Sequence, residues 1–371
     1  MHLESLYEIG LLLGYLFTFH PVDAAASFIM SESSMSPSRK GHFGTNTKNN
    51  ENESKNGAKR VACIGNSIQY FNDCPRLLEN ISNGNISNQD SCLRGGVSLI
   101  NILKQGNGMR NKFRTANAII KDESEQCKTV KYDIGAPSVQ TLLCGENHCD
   151  EKNEEENSGL SWDFIIMNDH TKSLARLSSR RETIQTLCSD YVPMIRQCGG
   201  IPILLMTAAY RREGIMDSDD LGTFEEFSEK VEKGYIELAN ALSEVLPTLQ
   251  RPRIAPVGMA YKQIYFEDKK QWERLYHDDH FHPSPHGTFL QACVLHFTIF
   301  GYIPDEKEIL LQIEREKVDS SEGGIWLRAR MMEPKGDRVQ SRPDKDEALY
   351  LLDVAKRVCM EYNSNLDRPS K

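Results

Sequence analysis

Short apolar runs alternate with longer amphipathic stretches between residues 60 and 303, a pattern that predicts a parallel sheet with crossover helices. Residues 60–64 (RVACI) are the first buried-strand candidate. A polar turn follows, then a helix starting near Pro75, because proline suits the first helical position. A less apolar second strand at 91–94 ends on Gly95-Gly96, and residues 163–167 (DFIIM) predict the third. A helix over 182–197 leads through Gly199-Gly200 into a fourth strand at 201–207 (IPILLMT). The stretch 224–245 predicts the next crossover helix, 253–257 the fifth strand, and 287–300 an apolar helix packed on the sheet. Residues 304–371 read as a C-terminal helical extension, with patterns at 305–316 and 345–362. There is no internal repeat.

The N-terminal flank reads differently. Residues 9–17 (IGLLLGYLF) are apolar and small residues follow at 22–26, which suits a signal-peptide core and is too short for a membrane span. The preceding segment carries Glu4 and Glu8 and no Lys or Arg, whereas a signal peptide normally starts positive. Residues 1–29 are therefore either a signal peptide or an N-terminal extension, with Met30 as an alternative start. The chain is secreted or endomembrane in the first case and cytoplasmic in the second. Residues 30–59 are rich in Ser, Asn, Lys and Gly and predict a disordered linker. The folded domain is expected over 60–303. Residues 146–158 (ENHCDEKNEEENS) predict an acidic surface loop.

Composition narrows the function. Across 371 residues the net charge is −9, with no long basic block, which argues against nucleic acid because phosphate binding needs a basic face. No other stretch is long and apolar enough to span a membrane. The ten cysteines do not cluster as a disulfide framework. Cys63 and Cys293 sit in apolar segments as buried thiols, whereas Cys144 and Cys149 could pair in an oxidising compartment. Asn52, Asn80 and Asn85 begin N-x-S sequons that matter only if the chain is secreted.

Four short segments carry chemistry, and each follows a predicted strand, where open α/β sheets bind ligands. Gly65-Asn66-Ser67 lets the chain turn sharply and presents a hydroxyl; alone it would be an ordinary turn. Gly95-Gly96 offers a backbone N–H that no Cβ shields. Asn168 offers a fixed amide donor for charge developing on a carbonyl oxygen, or simply an Asx cap. Asp279 and His282 stand three apart in DDHFHPSPHG, so one tight loop can bring a carboxylate to the imidazole Nδ1–H and leave Nε2 for a nucleophile.

The ordered set Gly65-Asn66-Ser67, Gly96, Asn168 and Asp279-x-x-His282 resembles the block pattern of the SGNH/GDSL serine hydrolase superfamily. The tract from Asp279 to Gly287 is similar to its D-x-x-H-P-S-x-x-G signature. Ala255 to Gly258 and the Trp162-Asp163-Phe164 lead-in are also similar. The resemblance covers about residues 60–303. It implies a three-layer α/β/α sandwich on a flavodoxin-like five-stranded parallel sheet. It further implies Ser67 as nucleophile, His282 as general base, Asp279 as its orienting acid, and an oxyanion hole from the Ser67 and Gly96 N–H groups and the Asn168 side chain. Gly95 is the alternative to Gly96. Asn66 replaces the usual aspartate, a change expected to matter little. Ile166 replaces a glycine and is expected to narrow the oxyanion pocket.

The implied activity is hydrolysis of carboxylic esters, acetyl esters among them, of carbohydrates, lipids or small molecules through an acyl-enzyme, without metal or cofactor. An O-acyltransferase or a non-catalytic binding protein on the same fold are the alternatives. A metal-dependent hydrolase is the other rival, because His277, His280, His282 and His286 crowd into ten residues beside two aspartates. No further ligand set of known spacing accompanies them, Cys144-x3-His148-Cys149 lacking a second pair.

Overall fold

The computed structural model describes residues 57–109, 135–145, 161–318, 324–326 and 341–366. The expected signal or extension segment, most of the linker, the acidic loop, Cys149 and Asn52 lie outside these. Five strands form one parallel sheet: β1 (Lys59–Gly65), β2 (Ile86–Leu93), β3 (Phe164–Met167), β4 (Ile201–Leu205) and β5 (Arg253–Ala255). Their order across the sheet is β2-β1-β3-β4-β5, with every neighbouring pair parallel. This is the flavodoxin-like order, and helices flank the sheet in an α/β/α sandwich. The chain reverses its direction of travel between β1 and β3, so their carboxyl ends flank a crevice.

The central strands are short because they are buried on both faces. All four residues of β3 (FIIM) are buried, as are residues 202–205 of β4. Such strands read as continuous apolar runs. β2 is longer than expected, starting at Ile86 rather than 91 and ending one residue earlier, at Leu93. It lies at the sheet edge, and its Ser87, Asn88, Gln89 and Asp90 are exposed or half-buried. Backbone pairing with β1, and no apolar pattern, defines it. β4 stops two residues before expectation. β5 is cut short by Pro256, which caps the helix Val257–Glu267.

The helix expected at 182–197 starts earlier, as Leu177–Thr186, and continues through a π-helical turn at Leu187–Tyr191 into Val192–Cys198. Pro193 has no N–H to offer the preceding turn, and the wider π turn takes up the mismatch. The helix Phe224–Val245 has the expected bounds and a full capping box between Thr223 and Glu226, worth about 1 kcal/mol. The last sheet-packed helix is Pro285–Phe300, two residues longer at its start than expected. Ser284 accepts from the N–H groups of His286 and Gly287, with Pro285 in the first turn.

The helix Lys345–Leu366 packs on the Pro285–Phe300 and Val257–Glu267 helices, burying Leu351, Leu352, Ala355 and Cys359 in the same core as the sheet. Cys63 and Cys293 are buried free thiols, and burial pushes both well above the ordinary thiol range. Among the described residues, no helix is long and apolar enough to cross a membrane.

Candidate active site

The turn after β1 is built for close approach. A Cβ on Gly65 would lie 1.9 Å from Asn168 Oδ1 and 2.8 Å from Gln69 Nε2, so only glycine lets β1 and the end of β3 meet there. Asn66 then caps a single helical turn, Ser67–Tyr70, with its Oδ1 accepting from the Ile68 N–H at 3.1 Å. Ser67 is the first residue of that turn and is 8 % exposed.

Asn66 does more than shape the turn. Its Oδ1 also accepts from Asn168 Nδ2 at 2.8 Å, and its Nδ2 donates to the Val97 carbonyl at 2.9 Å. An aspartate could not make the second bond, because a carboxylate has no donor. An asparagine rather than an aspartate at this position therefore has structural content. One amide ties the Ser67 turn both to the loop after β2 and to the loop after β3. The Ile166 departure is a core feature: its side chain is buried in β3, between the registers of Cys63 and Ile203.

Asn168 is held by every polar atom of its side chain. Oδ1 accepts from Gln69 Nε2 at 2.8 Å and from the Asn66 N–H at 3.3 Å. Nδ2 donates to Asn66 and, more loosely at 3.2 Å, to the Asp169 carbonyl. The neighbouring Asp169 is 1 % exposed and accepts from the Leu99 and His170 N–H groups at 2.9 and 2.7 Å and from Thr183 Oγ1 at 2.6 Å. Burial raises its carboxyl above the ordinary range against these three bonds. The Asp169–Leu99 bond is a second strap between the β2 and β3 loops. Gly96 lies in the strapped loop, solvent-facing, with φ +70° and open space where a Cβ would be. Its glycine is explained by the left-handed backbone.

The Asp279–His282 pair forms as the spacing predicts. His282 Nδ1 lies 2.7 Å from Asp279 Oδ2, while Asp279 Oδ1 accepts from the His282 and Phe281 N–H groups at 3.0 and 3.2 Å. A carboxylate so placed fixes the tautomer and leaves Nε2 for proton transfer. His277 Nδ1 approaches the same Asp279 oxygen at 3.4 Å. Burial alone would raise the Asp279 carboxyl, but the His277 and His282 rings outweigh it and hold it well below the ordinary carboxylate range.

Three contacts dock this loop on the Ser67 turn. The Phe71 ring stacks on His282, with centroids 3.7 Å apart and planes 7° from parallel. Asn72 Nδ2 donates to the Pro283 carbonyl and to Thr288 Oγ1 at 3.1 and 3.0 Å. Gln291 Nε2 donates to the Ile68 carbonyl at 3.1 Å. Asn72 and Asp73 both have positive φ, 48° and 53°, a bend that aims the Asn72 amide at the loop.

Two further clamps hold the loop from outside. Arg211, after β4, donates its N–H to the His280 carbonyl at 2.8 Å and Nε to His280 Nδ1 at 2.9 Å, fixing His280 at φ +69°. Glu347, on the C-terminal helix, accepts from His286 Nε2 at 3.0 Å and pairs with Arg274, whose carbonyl accepts the Ser284 hydroxyl. The four crowded histidines thus divide among three partners: Asp279 for His277 and His282, Arg211 for His280, and Glu347 for His286. Among the described residues, no group of three metal-ligating side chains converges.

Sequence reasoning missed Phe71, Asn72, Arg211 and Glu347, and weighed His277 only as a candidate metal ligand. The aromatic pair that closes the Ser67 turn was the one local signal.

No protein-family profile matches the sequence. No curated protein matches it either. Solved structures similar to it include a candidate SGNH hydrolase from Slackia heliotrinireducens, at 20% identity, TM-score 0.42, covering 65% of this chain and 99% of that one. A DUF4886 family protein from Bacteroides uniformis is similar at 16% identity and TM-score 0.48, covering 82% of this chain and 96% of that one. A gut microbial diltiazem-metabolizing enzyme is similar at 10% identity and TM-score 0.34, covering 64% and 46%. The β2-β1-β3-β4-β5 order places the Ser67 and Asn168 turns at its switch point.

Proposed function

We propose that the chain is a serine esterase that hydrolyses carboxylic esters through an acyl-enzyme on Ser67. The observation that carries this reading is the Asp279–His282 pair, bonded at 2.7 Å and docked on the Ser67 turn by Phe71, Asn72 and Gln291.

In this reading His282 Nε2 removes the Ser67 hydroxyl proton as Oγ attacks the ester carbonyl carbon, and the carbonyl π pair moves onto its oxygen. The Ser67 and Gly96 N–H groups hold that oxyanion. The Asn168 amide joins them by giving up its looser bond to Asp169. Collapse breaks the bond to the alcohol oxygen, which takes the proton from His282. Water then enters, loses a proton to His282 and attacks the acyl carbon; the acid departs and Ser67 recovers its proton. Asp279 keeps its negative charge throughout and stabilises the imidazolium in both halves.

A serine-reactive phosphonate probe, followed by a p-nitrophenyl ester series of increasing acyl length, tests the proposal. Labelling at Ser67 and loss of turnover in Ser67→Ala are expected. Labelling elsewhere, or substantial esterase activity in Ser67→Ala, overturns it.

A further inference from the structure

Three buried side-chain amides join head to tail across the switch point. Gln69 Nε2 donates to Asn168 Oδ1 at 2.8 Å, Asn168 Nδ2 to Asn66 Oδ1 at 2.8 Å, and Asn66 Nδ2 to the Val97 carbonyl at 2.9 Å. Gln69 and Asn66 are 2 % exposed and Asn168 is 1 % exposed. An amide could lie either way round in such a chain, and backbone groups, which cannot flip, decide the direction. The Ile64 carbonyl also accepts from Gln69 Nε2 at 2.8 Å, so Gln69 meets two acceptors with its nitrogen. The Asn66 N–H donates to Asn168 Oδ1 at 3.3 Å, and the Ile68 N–H to Asn66 Oδ1 at 3.1 Å. Asn168 is thereby locked with its oxygen toward Gln69 and its NH2 toward Asn66. Amides linked in this way polarise one another, each becoming a stronger donor as its own oxygen accepts.

Resting on the esterase reading above, we propose that Gln69 is a positioning residue for the oxyanion hole. Its amide holds Asn168 by the oxygen, so that the Asn168 NH2 is turned in advance toward the carbonyl oxygen on which negative charge develops. Gln69 acts through Asn168 and transfers no proton. It belongs to the same helical turn as Ser67, so one piece of backbone sets both the nucleophile and the orientation of the donor. A donor fixed before the reaction costs no reorganisation when the charge appears. Removing the Gln69 amide leaves little unsatisfied, because Asn168 Oδ1 keeps the Asn66 N–H and the Ile64 carbonyl keeps the Asn168 N–H at 3.2 Å. The loss therefore falls on catalysis more than on folding.

Gln69→Met keeps the length and bulk of the side chain and removes its donors. We expect kcat for p-nitrophenyl esters to fall by about 10- to 100-fold, short of the roughly 10²- to 10³-fold that losing an oxyanion donor outright costs. KM should hold, because the donor acts on charge that exists only in the transition state. In an Asn168→Ala background the same substitution should change kcat by less than about 2-fold, since the group it acts through is gone. Wild-type kcat in Gln69→Met, or an equal loss in both backgrounds, overturns the proposal. If Gln69→Met does not fold, the side-chain NH2 resonances of the wild-type enzyme decide it. Phosphonate labelling of Ser67 should shift the Asn168 NH2 signals while the Gln69 NH2 stays slow to exchange with solvent. Unmoved Asn168 signals, or a freely exchanging Gln69 NH2, overturn the proposal. Full activity in Ser67→Ala would instead overturn the esterase reading itself, so the two failures are distinguishable.

Discussion

Phe71 lies face to face with His282, its ring 3.7 Å away and nearly parallel, while Phe281 covers the imidazole at 4.0 Å and 39°. The proposed base is thus gripped by Asp279 along its edge and by Phe71 over one face, with the Phe281 ring tilted beside it. The first ring comes from the same turn as the nucleophile. Phe71→Leu should keep the fold and loosen this grip. Since such ring pairs are worth about 0.5–1.5 kcal/mol, kcat/KM is expected to fall by about 3- to 10-fold in a steady-state esterase assay, with the melting temperature nearly unchanged.

Asp279→Asn tests the other grip. The amide can still accept from the His282 N–H, but its NH2 group favours the wrong imidazole tautomer. A loss of about 10³- to 10⁴-fold in kcat is expected from that error alone. The variant should still react with the phosphonate probe, far more slowly; unchanged kinetics would remove Asp279 from the mechanism.

Gly65→Ala should fail for a geometric reason. Its Cβ would sit inside the Asn168 amide, and Asn168 cannot retreat without abandoning its bonds to Asn66 and Gln69. Destabilisation of about 3 kcal/mol, at the upper end for single substitutions, is expected in urea unfolding. Esterase activity should drop further than stability does, because the turn and the amide donor move together.

Two of the histidines whose protonation burial opposes make stability depend on pH. Burial, with the nearby Lys172 and Arg176 charges, lowers His170 to about 4, and burial lowers His296 to about 4. In the unfolded chain both take up protons near pH 6.5. Stability should therefore be full above that value, fall as pH drops toward 4, and level off below it for these two groups. A combined loss on the order of a few kcal/mol between pH 7 and 4 should appear in urea midpoints. His296→Phe should flatten part of that slope.

The parts of the fold that could be read from sequence are those whose burial is two-sided. FIIM and PILL are apolar throughout because helices cover both faces of β3 and β4. β2 could not be bounded, since its Ser87 to Asp90 face solvent at the sheet edge and only backbone pairing makes them a strand. The same division holds in the site. Ser67 and Asn168 stand out because each follows a strand end within two residues, and Asp279 and His282 because one tight loop holds both. Phe71 and Arg211 look like ordinary residues until the chain returns, 211 and 69 positions later, and sets His282 and His280 against them. Asn66 shows a middle case: its turn was legible, but its donation to Val97, which an aspartate would lose, was not.

The bond between Glu347 and His286 bears on the order in which the site can assemble during synthesis. Ser67, its turn and the whole β2-β1-β3-β4-β5 sheet are complete when the nascent chain has reached β5, and the Asp279–His282 loop follows soon after. The brace on that loop arrives only with the Lys345–Leu366 helix. A chain arrested on the ribosome before residue 345 holds every proposed reacting group and lacks the last of its supports. In such a chain the proposed nucleophile is in place while its proposed base is still loose.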